Sequence, residues 1–403
     1  MGNLDSTNYC GLIQFENGNI QESKRYFKQA ADAGHIDSLN NYAYLLLQEP
    51  PTESESESPI EYLKKSASKG STKAMVNLGN LFYCGDPTHN IPLNKEESLK
   101  YFKQAASQND PDGLYYYGLM LQKGECLTCP DPKLALESFK KASDDGNNSE
   151  AMVECAKILL PSNTKEALSY LKRAAESGNS DAMHGYARAK FQQKSTEKEV
   201  VDFYKKAAEN GNPDAMFEYS LLIENGVAKE EESTMRNYVR LAANLGCPEA
   251  IHSYAWMTLN GVGGEAPDPE KALGGFKRAA DLGVVDAMYQ YAAMRRYGEG
   301  GEADEEEAAR YFRKAADLGS ADAMNCYGMM ALRGQGVEKN EEEAAGYFRR
   351  AAEMGHPNAM NNYGEMLLNG MGVKEDRKKA VHYFELAAEM NDPDGLENHR
   401  KTS

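Results

Sequence analysis

The sequence predicts an all-α protein, an α/α solenoid (superhelix) of about eleven helix-turn-helix repeats. Three observations predict it. First, one motif returns about every 36 residues, the signature of a stacked supersecondary unit. YFRKAADLGSADAMNCYG, from Tyr311 to Gly328, comes back as YFRRAAEMGHPNAMNNYG, from Tyr347 to Gly364. Second, the apolar columns of the motif stand three and four residues apart, which places them on one helical face. Third, Gly or Asn follows each helix at a fixed place, where a left-handed residue ends it.

Taken in order within one repeat, helix B comes first. Its ending is an aromatic or apolar pair, then a small pair, then the cap. Eleven such endings align, capped by Gly34, Gly70, Gly146, Gly178, Gly211, Gly246, Gly283, Gly319 and Gly355, with Asn109 and Asn391 in two slots. Small pairs such as Ala279-Ala280 and Ala315-Ala316 allow two helices to approach closely. Helix A follows, opening D-A-M or a near variant. Its next column holds Met75, Met183, Met288 or Met324, and three residues on stands Tyr186, Tyr291 or Tyr327. This periodicity assigns most of the Met and Tyr content to the core. A second glycine, such as Gly124, Gly298 or Gly334, closes most A helices. Acidic residues crowd the start of helix B, as in Glu305-Glu306-Glu307, and basic ones its end, as in Arg313-Lys314, both complementing the helix dipole.

The repeats define one solenoid domain over 1–391, followed by a cap or tail at 392–403 that opens like another A helix. The acidic stretch at 49–59, EPPTESESESP, breaks the pattern and reads as a surface loop. Its serines, Ser54 to Ser58, are candidates for phosphorylation, against a plain solvated loop. The repeat from Met152 to Gly178 is short, with Pro161 directly after its A helix.

The 403 residues carry 62 acidic and 45 basic side chains, a formal net charge of −17. That disfavours nucleic acid, which needs a basic face, and electrostatic attachment to anionic lipid. No apolar run reaches transmembrane length, and the first residues lack the basic and apolar regions of a secretory signal. The seven cysteines then read as reduced thiols of a cytoplasmic protein. Membrane association would require acylation.

The repeat resembles the Sel-one-like repeat, a relative of the tetratricopeptide repeat. The family pattern joins A-M-x-x-L/Y-G, a G-x-G-V loop and K-A-x-x-Y-F-x-x-A-A-x-x-G. Gly334-Gln335-Gly336-Val337 and Gly370-Met371-Gly372-Val373 match the loop, and Tyr311 to Gly364 match the rest. The resemblance implies an α/α superhelix with helix A on the inner face, and a non-catalytic scaffold or adaptor with protein partners and no cofactor. Two other functions follow from particular relatives. One is an adaptor of a ubiquitin ligase in ER-associated degradation, which the missing signal argues against. The other is β-lactam binding or hydrolysis, as in cysteine-rich bacterial members; here Cys10, Cys155, Cys247 and Cys326 are scattered singly.

If helix A lines the groove, the residue two past the anchor Ala faces inward. That column includes Tyr115, His184, Phe217, His252 and Tyr289, and Trp256 lies one turn beyond His252. Two roles are open to these rings: anchors for a partner peptide, or padding of the seam between neighbouring A helices. Gly2 fits the N-myristoylation pattern after removal of Met1, and Cys10 could carry a second chain. Cys126 and Cys129 form C-x-x-C in one A-to-B loop, with Cys84 and His89 in the loop before it. Stacking would bring these together as a Cys₃His zinc clip, against free thiols. Gly261-Val262-Gly263-Gly264 precedes no strand and is a turn, and His35 and His356 sit in B-to-A turns. No set of nucleophile, base and acid is evident.

Overall fold

The computed structural model describes residues 2–50, 58–126, 129–193, 198–262 and 266–402. Most of the acidic 49–59 stretch, including Ser54 and Ser56, and also Gly263 and Gly264, lie outside the described residues. The described chain is helical, with one isolated bridge between Asp86 and Ile91. It forms two compact units, 1–195 and 196–403. The first holds α1 (Gly2–Glu16), α2 (Ile20–Asp32), α3 (Ile36–Gln48), α4 (Pro59–Ser68), α5 (Thr72–Cys84), α6 (Lys95–Ser107), α7 (Pro111–Lys123), α8 (Pro132–Asp144), α9 (Ser149–Leu159), α10 (Thr164–Glu176) and α11 (Ser180–Gln192). The second holds α12 (Lys198–Glu209), α13 (Pro213–Glu224), α14 (Glu232–Asn244), α15 (Pro248–Asn260), α16 (Pro269–Asp281), α17 (Val285–Tyr297), α18 (Glu305–Asp317), α19 (Ala321–Arg333), α20 (Glu341–Glu353), α21 (Pro357–Asn369), α22 (Arg377–Glu389) and α23 (Pro393–Thr402).

Odd-numbered helices are A and even-numbered helices are B. Within each unit every helix packs on the next, and successive A helices also touch, as α5 does α7 and α21 does α23. The tail at 392–403 forms α23, a further A helix lying on α21 and α22.

Helix starts are fixed by side-chain caps. Asn148, Asn179 and Asn212 accept from the amides of Ala151, Ala182 and Ala215, the anchor alanines of three A helices. His35 and His356 do the same with Nδ1, accepting from Ser38 N and Ala359 N. The turn histidines are therefore side-chain N-caps.

Gly79, Gly118, Gly328 and Gly364 of the A helices lie against the buried rings of Phe102, Phe139, Phe348 and Phe384 of the following B helices. Where the A helix has Ala43 or Ala156 instead, the B helix offers Leu63 or Leu171, whereas Ala255 and Ala292 stand in the registers of Phe276 and Phe312. In the last three hairpins the A-helix Tyr meets a B-helix Tyr edge to face: Tyr291 and Tyr311 at 4.7 Å, Tyr327 and Tyr347 at 4.8 Å, Tyr363 and Tyr383 at 5.0 Å. Stacking between repeats adds hydrogen bonds from Tyr311 to Asp281 and from Tyr347 to Asp317, each reaching back to the end of the previous B helix. The left-handed caps fall where the sequence puts them, with one exception. At the end of α8 the left-handed residue is Asn147, one past Gly146, because one extra residue stands between the small pair Ala142-Ser143 and the next N-cap, Asn148.

Candidate protein-interaction surface

The A helices present the surface on which the sequence places its candidate anchors. The column two past the anchor Ala is half-buried or buried, and its rings turn toward the B helix of their own hairpin. Tyr115 lies 6.1 Å from Phe139, His252 5.6 Å from Phe276 and Tyr289 5.7 Å from Phe312. His184 is buried and Phe217 half-buried. Burial pushes the Tyr115 and Tyr289 hydroxyls up to about 12 and lowers the basicity of His252. Tyr115, His252 and Tyr289 thus fill seams and offer only an edge to a ligand.

Trp256 differs. It stands six past its anchor Ala, and the ring is 49% exposed. The same column holds Leu221 in α13 and Met329 in α19, and at the end of α17 Tyr297 is 75% exposed. In the second unit Leu221, Trp256 and Tyr297 therefore put apolar groups on three A helices, α13, α15 and α17. Arg296, beside Tyr297, reaches Gln335 at 3.3 Å. In the first unit the matching face has a notch of about 100 Å³ between α5 and α7, lined by Asn80, Tyr83, Phe102, Tyr116, Leu119 and Lys123. Tyr116 stacks on Phe102 at 5.0 Å to form its floor. Glu125 closes one side, holding Lys95 at 2.8 Å and the Tyr83 hydroxyl at 3.2 Å. Tyr83, Tyr116, Leu221 and Tyr297 escape a reading confined to the column two past the anchor; the columns three, six, nine and ten past it carry the signal.

Asparagines run along the same helices as bonded pairs. Asn77 donates to Asn40, Asn362 to Asn325 and Asn398 to Asn361, each across one repeat at 2.8–2.9 Å. They tie neighbouring A helices together at the surface.

The other candidates fall in distinct places. Gly2 begins α1, and Cys10 is exposed on the same helix. Cys84, Cys126 and Cys129 are exposed and unbridged. His89 is committed elsewhere: Nδ1 meets Asp86 Oδ2 at 2.6 Å, and Nε2 meets the carbonyl oxygens of Leu46 at 3.1 Å and Glu49 at 3.0 Å. All three partners are acceptors, so both ring nitrogens donate and neither is left for a metal. Burial pushes the His89 pKa down, but its bonds to Asp86 and to the two carbonyls outweigh that and raise it. Among the described residues no group of three His, Cys, Asp or Glu is placed to hold a metal ion. No helix of the described residues is long and apolar enough to cross a membrane.

The Sel1 repeat family matches nine stretches: 9–35, 72–110, 111–147, 158–179, 201–212, 248–284, 285–320, 321–356 and 357–392. Together they span well over half of the chain. No curated protein matches it in sequence. Among solved structures it is similar to a protective antigen present in uropathogenic Escherichia coli strains, described as displaying an SLR fold. The two are 24% identical over 99% of this chain and 87% of that one, with a TM-score of 0.70. It is also similar to a Sel1 repeat protein from Oxalobacter formigenes, at 26% identity over 59% of this chain and 99% of that one, with a TM-score of 0.52. The unmatched stretches, such as 36–71 and 213–247, carry the same capped hairpins with more divergent columns. With its repeats matched from residue 9 to residue 392 and its helices stacked in the same hairpins, the chain belongs to the Sel1 repeat family.

Proposed function

We propose that this protein is a non-catalytic interaction scaffold or adaptor that captures an extended peptide or a helix of a partner protein along its A-helix faces. The observation that carries this reading is the exposure of Trp256 on α15, with Leu221 exposed on α13 and Tyr297 on α17, so that three successive A helices each present a large apolar group. Exposed aromatic groups on a rigid element supply large contact area at small entropic cost, the usual character of a binding hot spot. In the second unit His252 and Tyr289 lie half-buried on the same helices, α15 and α17. Family membership supports a scaffold over an enzyme.

The test is affinity capture with mass spectrometry, comparing wild type with Trp256→Ala/Tyr297→Ala. Both side chains are exposed, so circular dichroism and melting should be unchanged. The proposal expects the wild-type partners to be lost from the variant. A partner list that survives the double substitution would move the binding surface to the B helices or loops.

A further inference from the structure

A three-helix contact recurs in the second unit. The basic residue two before the Ala-Ala pair of one B helix, the hydroxyl of the next A-helix Tyr, and a Glu at or before the start of the following B helix meet at one point. Lys205 bonds Glu230 at 2.7 Å, and Tyr219 donates to the same carboxylate oxygen at 3.1 Å. Arg313 lies 3.6 Å from Glu343, to which Tyr327 donates at 3.1 Å. Lys277 lies 3.8 Å from Glu307, which also holds the Tyr291 hydroxyl.

At α14, α15 and α16 the cation and the tyrosine are present, as Arg240 and Tyr254, but the carboxylate is not. Lys271 stands in the register of Glu307 and Glu343, and its Nζ lies 5.5 Å over the Tyr254 ring. Two further departures mark the place. Arg236 occupies the column that is Leu273, Ala309 or Ala345 in the next B helices. Gly275 replaces the B-helix tyrosine that faces Tyr219, Tyr291 and Tyr327 in the other hairpins. Between α14 and α15 lies a cleft of about 230 Å³ lined by Ser233, Arg236, Asn237, Arg240, Tyr254 and Thr258, with Met257 and Val262. It is roomier than the roughly 150 Å³ that holds a benzene ring. Its cations are lightly committed: Arg236 to the exposed Glu232 at 2.9 Å, and Arg240 to the amide oxygen of Asn237 at 2.9 Å. Glu231 nearby accepts from Ser233.

We infer that this cleft is an oxyanion site, taking a carboxylate or phosphate group in the place that Glu230, Glu307 and Glu343 fill elsewhere. Guanidinium groups suit such planar or tetrahedral oxyanions, and Ser233, Asn237 and Tyr254 add neutral hydrogen-bonding groups. Lys379 makes the same replacement beside Tyr363, but there Tyr383 covers the ring and Ala345 stands where Arg236 would be. That hairpin is an internal control.

The experiment is thermal denaturation and isothermal titration of the full chain with inorganic phosphate and, separately, acetate, at constant ionic strength set with chloride. Wild type should be protected by at least one of the two, and the tighter one identifies the class. Lys271→Glu restores the internal carboxylate at an exposed helix start, where Glu is well tolerated, so this variant folds and should bind the anion at least tenfold more weakly. Arg240→Gln should weaken it similarly, and Lys379→Glu should leave it unchanged. Protection by neither anion, or equal weakening by Lys271→Glu and Lys379→Glu, would overturn the assignment.

Discussion

Replacing Gly336 with Ala tests the packing of the loops against the stack. Gly336 is the second glycine of Gly334-Gln335-Gly336-Val337 and has φ +64°. A Cβ there would fall closer than 3.0 Å to the carbonyl oxygen of Glu305, the first residue of α18. Gly372 meets Glu341 and Gly300 meets Pro269 in the same way, so the contact belongs to the repeat. Two contributions add. A left-handed backbone costs an L-residue roughly 1–2 kcal/mol. Forcing a methyl onto backbone that cannot rotate away costs about 1–3 kcal/mol more. The sum, roughly 2–5 kcal/mol, is a large share of the stability of a typical domain. Gly226 gives the reference: φ is +70°, with nothing within 4 Å of its Cβ position, so Gly226→Ala loses only the first contribution. Urea denaturation followed by circular dichroism should rank wild type, then Gly226→Ala, then Gly336→Ala. Equal losses in the two variants would refute the close approach of loop to helix.

Three other outcomes are expected. Gly328→Ala presses a methyl onto the buried Phe348 ring, with Cβ positions 2.8–3.1 Å from it, and should lose about 1–3 kcal/mol; adding Phe348→Leu should return part of that, as a double-mutant cycle would show. The His89 clamp is fully present below its unfolded value of 6.5 and is lost as pH rises through its raised folded pKa, so the melting difference between wild type and His89→Gln should shrink toward alkaline pH. Thiol titration should find Cys10, Cys84, Cys126 and Cys129 fast, while Cys155, buried with a pKa of about 11, and Cys247, at about 12, react only on unfolding.

The helical grammar was legible because it is periodic. Met324 and Tyr327, Ala315-Ala316 and Gly319 each recur in register, and each answers a local demand of helix, close approach or cap. The surface was legible only in part. Trp256 stood out as the single tryptophan, but the column of Tyr115 and Tyr289 turns into the hairpin seam, since a ring beside Phe139 or Phe312 gains more by packing than by facing water. Tyr297 went unnoticed because it sits at a helix end, outside that column. The contact of Arg313, Tyr327 and Glu343 brings together three helices, so neither its presence nor its loss at Lys271 shows until the helices are seen stacked. At the end of α8 the cap falls on Asn147 and not on Gly146, because the turn carries one residue more than the pattern.

In our proposal the recurring grammar builds the stack, and partners read the exposed A-helix side chains. Hydrogen–deuterium exchange of the full chain, with and without a captured partner, tests it most directly. Added protection should fall on α13, α15 and α17, around Leu221, Trp256 and Tyr297. Protection confined to the B helices α14, α16 and α18 would contradict the claim.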